Sequence, residues 1–246
     1  MINFERVFYF SIFIDKSETF SVLEAEELPI VLIINQQPCF MEYFFYSSIY
    51  LSYFFLLIAM VFGILKYKLL FTYEKWYVYY LLYTFLIEAS NIISVKIFGA
   101  KTNAPIYPFY IGGIFSIMTF LFIKKLNLPK FWLLFIPMSG VLYLAVHFFL
   151  KDLNHDHVKV VSNIIIFGFA GVSLLQEIKK TNSHNRFLWI DAMIFLYYAV
   201  SAFIFILHNQ LVNMSINNAY LIWGINNILT CVLYLSFTYT FLKLKK

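Results

Sequence analysis

Apolar residues in this chain come in blocks of about twenty, parted by short polar turns that hold most of the lysines. A helix rises about 1.5 Å per residue, so blocks of this length cross the hydrocarbon of a bilayer. Seven can be marked: Tyr43–Leu65, Trp76–Val95, Ile106–Ile123, Phe131–Leu150, Val158–Leu175, Phe187–Leu207 and Ala219–Leu242. The pattern predicts an all-α polytopic membrane protein, a bundle of seven transmembrane helices over residues 43–246. Pro105 and Pro108 stand at the start of the third block, where the first amides of a helix have no internal partner. Pro137 and Gly140 interrupt the fourth and predict a kink. Gly168 and Gly171 lie on one face of the fifth and predict close helix approach. No internal repeat, low-complexity tract or soluble domain stands out.

The first 42 residues differ in kind. They carry seven acidic residues against Arg6 and Lys16, and their apolar runs, Val7–Ile14 and Leu28–Ile34, are too short to span. A signal peptide would want a basic start, a longer apolar core and a small-residue cleavage site. Two readings remain: an acidic arm outside the membrane, or a start of translation at Met41, directly before the first block. The second is slightly favoured.

Composition agrees with a membrane protein. Of 246 residues, 62% are apolar and 13% charged, where a soluble domain carries about 25% charged residues. Aromatic residues reach 22%, but an AT-rich genome would also enrich Phe and Tyr, so that figure carries no weight. A net charge of +5 would suggest nucleic acid in a soluble protein. Here the basic residues sit in short loops, so no nucleic-acid partner is expected. Cys39 and Cys231 are too few and too separated for a disulfide framework.

Charge also orients the chain. Twelve Lys/Arg fall in the loops after blocks one, three and five and at the C-terminus, and six fall on the other side. Basic loops stay cytoplasmic, so the N-terminus is expected outside and the C-terminus inside, in the inner (cytoplasmic) membrane. Trp76 and Tyr77 at one edge, with Tyr107, Tyr110, Tyr220 and Trp223 at the other, fit interfacial aromatic belts.

The candidate chemistry centres on Glu88, a carboxylate inside the second block. A charge there costs roughly 2.5–3.5 kcal/mol on insertion scales, so the protein must solvate it. Thr84, Glu88 and Asn91 share one helical face. Glu88 is expected roughly 18 Å above the inner edge, in the outer half of the membrane. Asn226 and Asn227 fall at a comparable level, and Asn163, Tyr110 and His147 are also in the outer half. Trp223, Asn227, Thr230, Tyr234 and Thr238 form one stripe along the last block. These residues predict an outward-facing pocket. Hydrogen bonding between helices without a ligand is the competing reading. Asp191, near the inner edge, is expected to form an interfacial ion pair with Lys125 or Arg186, or to meet water.

Other signals are weaker. Asn154-His155-Asp156-His157 is expected to be a solvated loop, since zinc wants three or four ligands and only His147 lies near. Asn213-Met214-Ser215 matches a glycosylation pattern that means little in most bacteria. The last block has no interior lysine for a retinal Schiff base, and no HExxH, CxxC, GxSxG, HxxxH or phosphate-binding glycine loop occurs. No cofactor and no metal are expected. Four residues follow Leu242, so no attached kinase or cyclase is expected.

The E-x-x-N of Glu88 and Asn91, the run Ile106-Tyr107-Pro108-Phe109-Tyr110, F-L-W-I-D at Phe187–Asp191 and L-I-W-G-I-N-N-I-L at Leu221–Leu229 together resemble a group of small uncharacterised seven-helix membrane proteins of Bacteroidota. That group is loosely similar to the seven-helix sensory modules of bacterial histidine kinases. The likeness runs from about Met41 to the end; the group's members begin close to their first span. It implies architecture and assigns no activity. Three functions follow as expectations. The first is a sensory or accessory module that binds a small apolar or amphipathic ligand and signals through a cytoplasmic or membrane partner. The second is a lipid-modifying enzyme using Glu88 as general acid or base. The third is a transporter, against which stand the odd number of spans and the lack of paired broken helices.

Overall fold

The computed structural model describes residues 40–99, 105–149, 155–180, 185–207 and 216–245. These form seven helices: α1 (Phe40–Leu65), α2 (Lys75–Lys96), α3 (Tyr107–Lys125), α4 (Lys130–Phe149), α5 (His155–Lys179), α6 (Leu188–Ile206) and α7 (Ile216–Lys243). No strand occurs among the described residues. Six of the seven are long and apolar enough to cross a membrane, and the described side chains of α4, Lys130–Val146, are an apolar stretch of the same kind. The described residues therefore form an all-helical, multi-pass membrane-type bundle. In hydrocarbon the backbone must satisfy its own hydrogen bonds, and uninterrupted helices do so. The acidic arm proposed for residues 1–42 lies outside the described residues, except that Phe40–Glu42 begin α1.

The helix ends follow local chemistry. Pro108 stands in the first turn of α3. Asn127, just past α3, has φ 51°, and Gly99, past α2, has φ 63°; Asn and Gly are the residues that adopt this left-handed region at least cost. One expectation fails here: Asp156 and His157 lie in the first turn of α5 instead of a loop. Pro137 stands inside α4, which continues as helix past it.

Packing defines a ring. α1 lies against α2 and α7, α7 against α6, α6 against α5, α5 against α3, and α3 against α2. α4 stands outside it, on α3. The α3–α4 crossing is set by glycine: a Cβ on Gly140 would sit 2.8 Å from the Gly112 carbonyl oxygen and 2.5 Å from Ser116 Oγ. Ser116 Oγ donates across the crossing to the Pro137 carbonyl, 3.0 Å away. The close approach expected on α5 is limited to Gly171, which meets the Phe195 ring; Gly168 faces open space.

The ring encloses a core rich in aromatic side chains, including Tyr77, Phe122, Phe187, Tyr198, Phe237 and Phe241. Apolar side chains also cover the outside, among them Leu65, Leu134, Val141 and Phe203. An apolar surface of that extent suits lipid contact. The aromatic belts need correction. Tyr77, Tyr107, Tyr110 and Trp223 are all buried in the bundle, because each packs or hydrogen-bonds within it.

Candidate functional site: two polar layers

Two groups of polar side chains cross the interior. The first lies at the end of the bundle where α1, α3, α5 and α7 finish. Asp191, in the first turn of α6, is fully buried. It accepts hydrogen bonds from Tyr77 Oη on α2 and Lys125 Nζ on α3, and from Asn185 Nδ2 at 3.3 Å. Tyr77 is held in place by stacking on Phe187, with ring centroids 4.9 Å apart. Of the partners expected for Asp191, Lys125 is the one it takes.

Arg186 takes another. Its Nε and Nη2 donate to the two oxygens of Glu74, at 2.9 and 2.5 Å. Nη2 also donates to the Leu69 carbonyl at 2.9 Å. Glu74 is buried and also accepts the Phe71 amide at 2.8 Å. This hydrogen-bonded carboxylate holds the Arg186 guanidinium above its already high ordinary value. Lys66 Nζ, donating to the Leu244 carbonyl at 3.0 Å, ties α1 to the end of α7. In this layer each buried charge has an opposite charge and further hydrogen bonds, the arrangement that offsets desolvation.

The second layer lies deeper, toward the other end. Glu88 is 5% exposed. Tyr53 Oη on α1 donates to its Oε2 at 3.3 Å, and the Asn91 side chain one turn on also faces it. Thr84, one turn back, donates to the Tyr80 carbonyl of its own helix. Tyr197 on α6 connects this carboxylate to the rest: its hydroxyl faces Tyr110, Thr230 and Ser201 and stands in the field of Glu88. Ser201 accepts from Asn163 Nδ2 at 3.1 Å. Thr230 reaches back along α7 to the carbonyl of Asn226 at 3.0 Å. Tyr110 lies under the ammonium of Lys159, 4.5 Å from ring centroid to Nζ, with Tyr198 at 5.9 Å.

So Thr84, Glu88, Asn91, Tyr110, Asn163 and Asn226 share one buried layer. Two proposed site residues do not. Asn227 is turned to α1, where its Nδ2 donates to Ser48 Oγ at 3.2 Å. Trp223 packs edge-on against Phe205 in a separate apolar cluster. The side chain of His147 lies outside the described ones. The sequence reading missed Lys159, Tyr53 and Tyr197. Lys159 left a usable signal: it precedes Asn163 by one helical turn, on the same face, inside the fifth apolar block. Tyr53 and Tyr197 left none, because buried tyrosine is common.

The two layers differ in how they are satisfied. In the second, the side-chain oxygens of Asn91, Asn163 and Asn226 are buried without a hydrogen-bond partner among the described residues. Lys159 is 2% exposed, yet its Nζ meets ring faces and no acceptor among the described residues. Each buried polar group left unpaired costs roughly 1–3 kcal/mol, more if charged. Among the described residues no cluster of His, Cys, Asp and Glu could hold a metal ion. The geometry defines a helical membrane bundle with a polar interior layer. No protein-family model, curated protein or solved structure matches the chain.

Proposed function

We propose that the protein is an integral membrane sensory or accessory module of seven spans. It binds a small amphipathic ligand in the layer around Glu88 and signals through a partner. One observation carries this reading: among the described residues the charges at the helix ends are paired, whereas the Glu88 layer holds three unpaired amide oxygens and an ammonium that meets only ring faces. A ligand with an acidic or acceptor head would meet Lys159, its donors would meet the asparagine oxygens, and its apolar part would lie among the tyrosines. The charge asymmetry of the loops supports an outer N-terminus, which puts this layer in the outer half of the inner membrane. α4 then crosses as the seventh span on the flank of the ring.

The test is recovery of the protein from its native membrane in mild detergent, followed by intact-mass spectrometry. A non-covalent adduct of a few hundred daltons is expected on the wild type and absent from Lys159→Met and Glu88→Gln. At a hundredfold excess over Kd a ligand stabilises by about 2.7 kcal/mol, so loss of the adduct should also lower Tm. Wild type free of any adduct, with both variants equally stable, would leave this layer a purely structural network. Lipid turnover lost in Glu88→Gln would assign the enzyme reading instead.

A further inference from the structure

A groove of about 690 Å³ opens on the outside of the bundle where α5 ends, α6 begins and α7 ends. Its floor is α6; α5 and α7 flank it, both packed on α6. Leu174, Ile178, Trp189 and Tyr239 give it apolar walls, and Arg186, Lys243 and Lys245 stand at its rim. The walls are surface: Ile178 is 75% exposed and Trp189 55%. The acids nearby are already engaged, Glu177 with Lys180 and Glu74 with Arg186. Lys243 lies over the Tyr239 ring at 4.3 Å. Neither Lys243 nor Lys245 has an ion-pair partner among the described residues. The groove is therefore apolar along its length and basic at one end.

We infer that this groove holds an anionic phospholipid, its phosphate between Lys243 and Lys245 and an acyl chain along Ile178 and Trp189. The charge decides the occupant. A helix partner would need only the walls, whereas a basic rim beside an apolar trough matches a negative headgroup with its tail attached. Trp189 and Tyr239 add amphipathic rings of the kind that sit at headgroup level. The site is separate from the Glu88 layer and stands or falls without it.

The experiment uses the full chain, delipidated in detergent and titrated with phosphatidylglycerol or phosphatidylcholine, with bound lipid counted by native mass spectrometry. Phosphatidylglycerol should bind more tightly than phosphatidylcholine. Losing two basic residues in Lys243→Gln/Lys245→Gln should weaken phosphatidylglycerol roughly 30-fold. Ile178→Trp, which fills the trough and keeps the charges, should weaken both lipids. All three positions are exposed, so these variants should keep the wild-type Tm without lipid. Equal binding of the two lipids, phosphatidylglycerol binding unchanged in the double variant, or inorganic phosphate protecting as well as the lipid would overturn the assignment.

Discussion

Asp191→Asn should be among the most damaging single changes in the chain. It removes a negative charge at 0% exposure and leaves Lys125, whose side chain is 7% exposed, without its counter-charge. At that burial, solvent screening gives little relief. Breaking one side of a buried pair costs about 3–5 kcal/mol. For a chain of this size 1 kcal/mol shifts Tm by about 2–4 °C, so a fall of about 6–20 °C is expected. Lys125→Gln should cost less, because Asp191 keeps Tyr77 and Asn185 as donors. The double variant Lys125→Gln/Asp191→Asn restores a neutral, hydrogen-bonded pair and should recover at least half of the Asp191→Asn loss. Thermal unfolding of the four proteins in one detergent closes the double-mutant cycle. An Asp191→Asn protein within 2 °C of wild type, or a double variant no better than the worse single, would refute the argument that this buried pair is coupled.

Gly140→Ala puts a methyl group 2.8 Å from the Gly112 carbonyl oxygen; overpacking of this kind costs about 1–3 kcal/mol, and because α4 packs chiefly on α3, hydrogen exchange should rise in α4 before it rises elsewhere. Arg186→Lys replaces a two-pronged guanidinium by a point charge and should lower Tm while leaving the Asp191 cycle unchanged. In the wild type the pair's contribution should be flat on the alkaline side up to the stability limit of the detergent: a raised pKa keeps it fully present below the unfolded value and loses it only as pH rises toward the folded one, which for Arg186 is higher still. Single cysteines at Lys68 and Phe98, both exposed, should react with an impermeant thiol reagent from opposite sides of sealed cells in a Cys39→Ser background; Cys231 is buried and should stay silent. Labelling of both from one side would reject the proposed crossing of α2.

The helices were legible in the chain because a membrane span must be both long and apolar, and few other structures satisfy both demands. All seven blocks coincide with described helices to within a few residues. The arrangement was not legible. Nothing in the apolar content of Phe131–Leu150 separates it from its neighbours, yet α4 stands outside the ring, held on α3 by the Gly112–Gly140 approach and the Ser116–Pro137 hydrogen bond. Aromatic residues misled for a related reason. Tyr77 lies near a span end, as a belt residue would, but its burial depends on Asp191, more than a hundred residues away. Glu88 gave itself away by its cost in hydrocarbon. Lys159 carries a similar cost and lies nearly as deep in the bundle, but near a span end a lysine reads as an interfacial residue.

A path between the two layers is built into α2 and α6. α2 carries Tyr77 in one layer and Glu88 in the other, about 16 Å along a rigid helix. α6 carries Asp191 in one and Tyr197 and Ser201 in the other. A ligand that draws Lys159 or Asn163 into new hydrogen bonds acts on α6 through Ser201, and the Tyr77–Asp191 contact is where α6 meets α2 again. Such a ligand shifts the bundle only if it binds two arrangements of these helices unequally. Tyr77→Phe separates the two consequences. It removes a donor to Asp191 and an acceptor for Lys125 and leaves the hydrogen bonds around Glu88 in place, so ligand mass and stoichiometry should stay as in wild type. Binding in wild type should change hydrogen exchange at the first turns of α2 and α6, and that change should shrink in Tyr77→Phe. An undiminished change would place the coupling elsewhere in the ring and exclude this contact as its route.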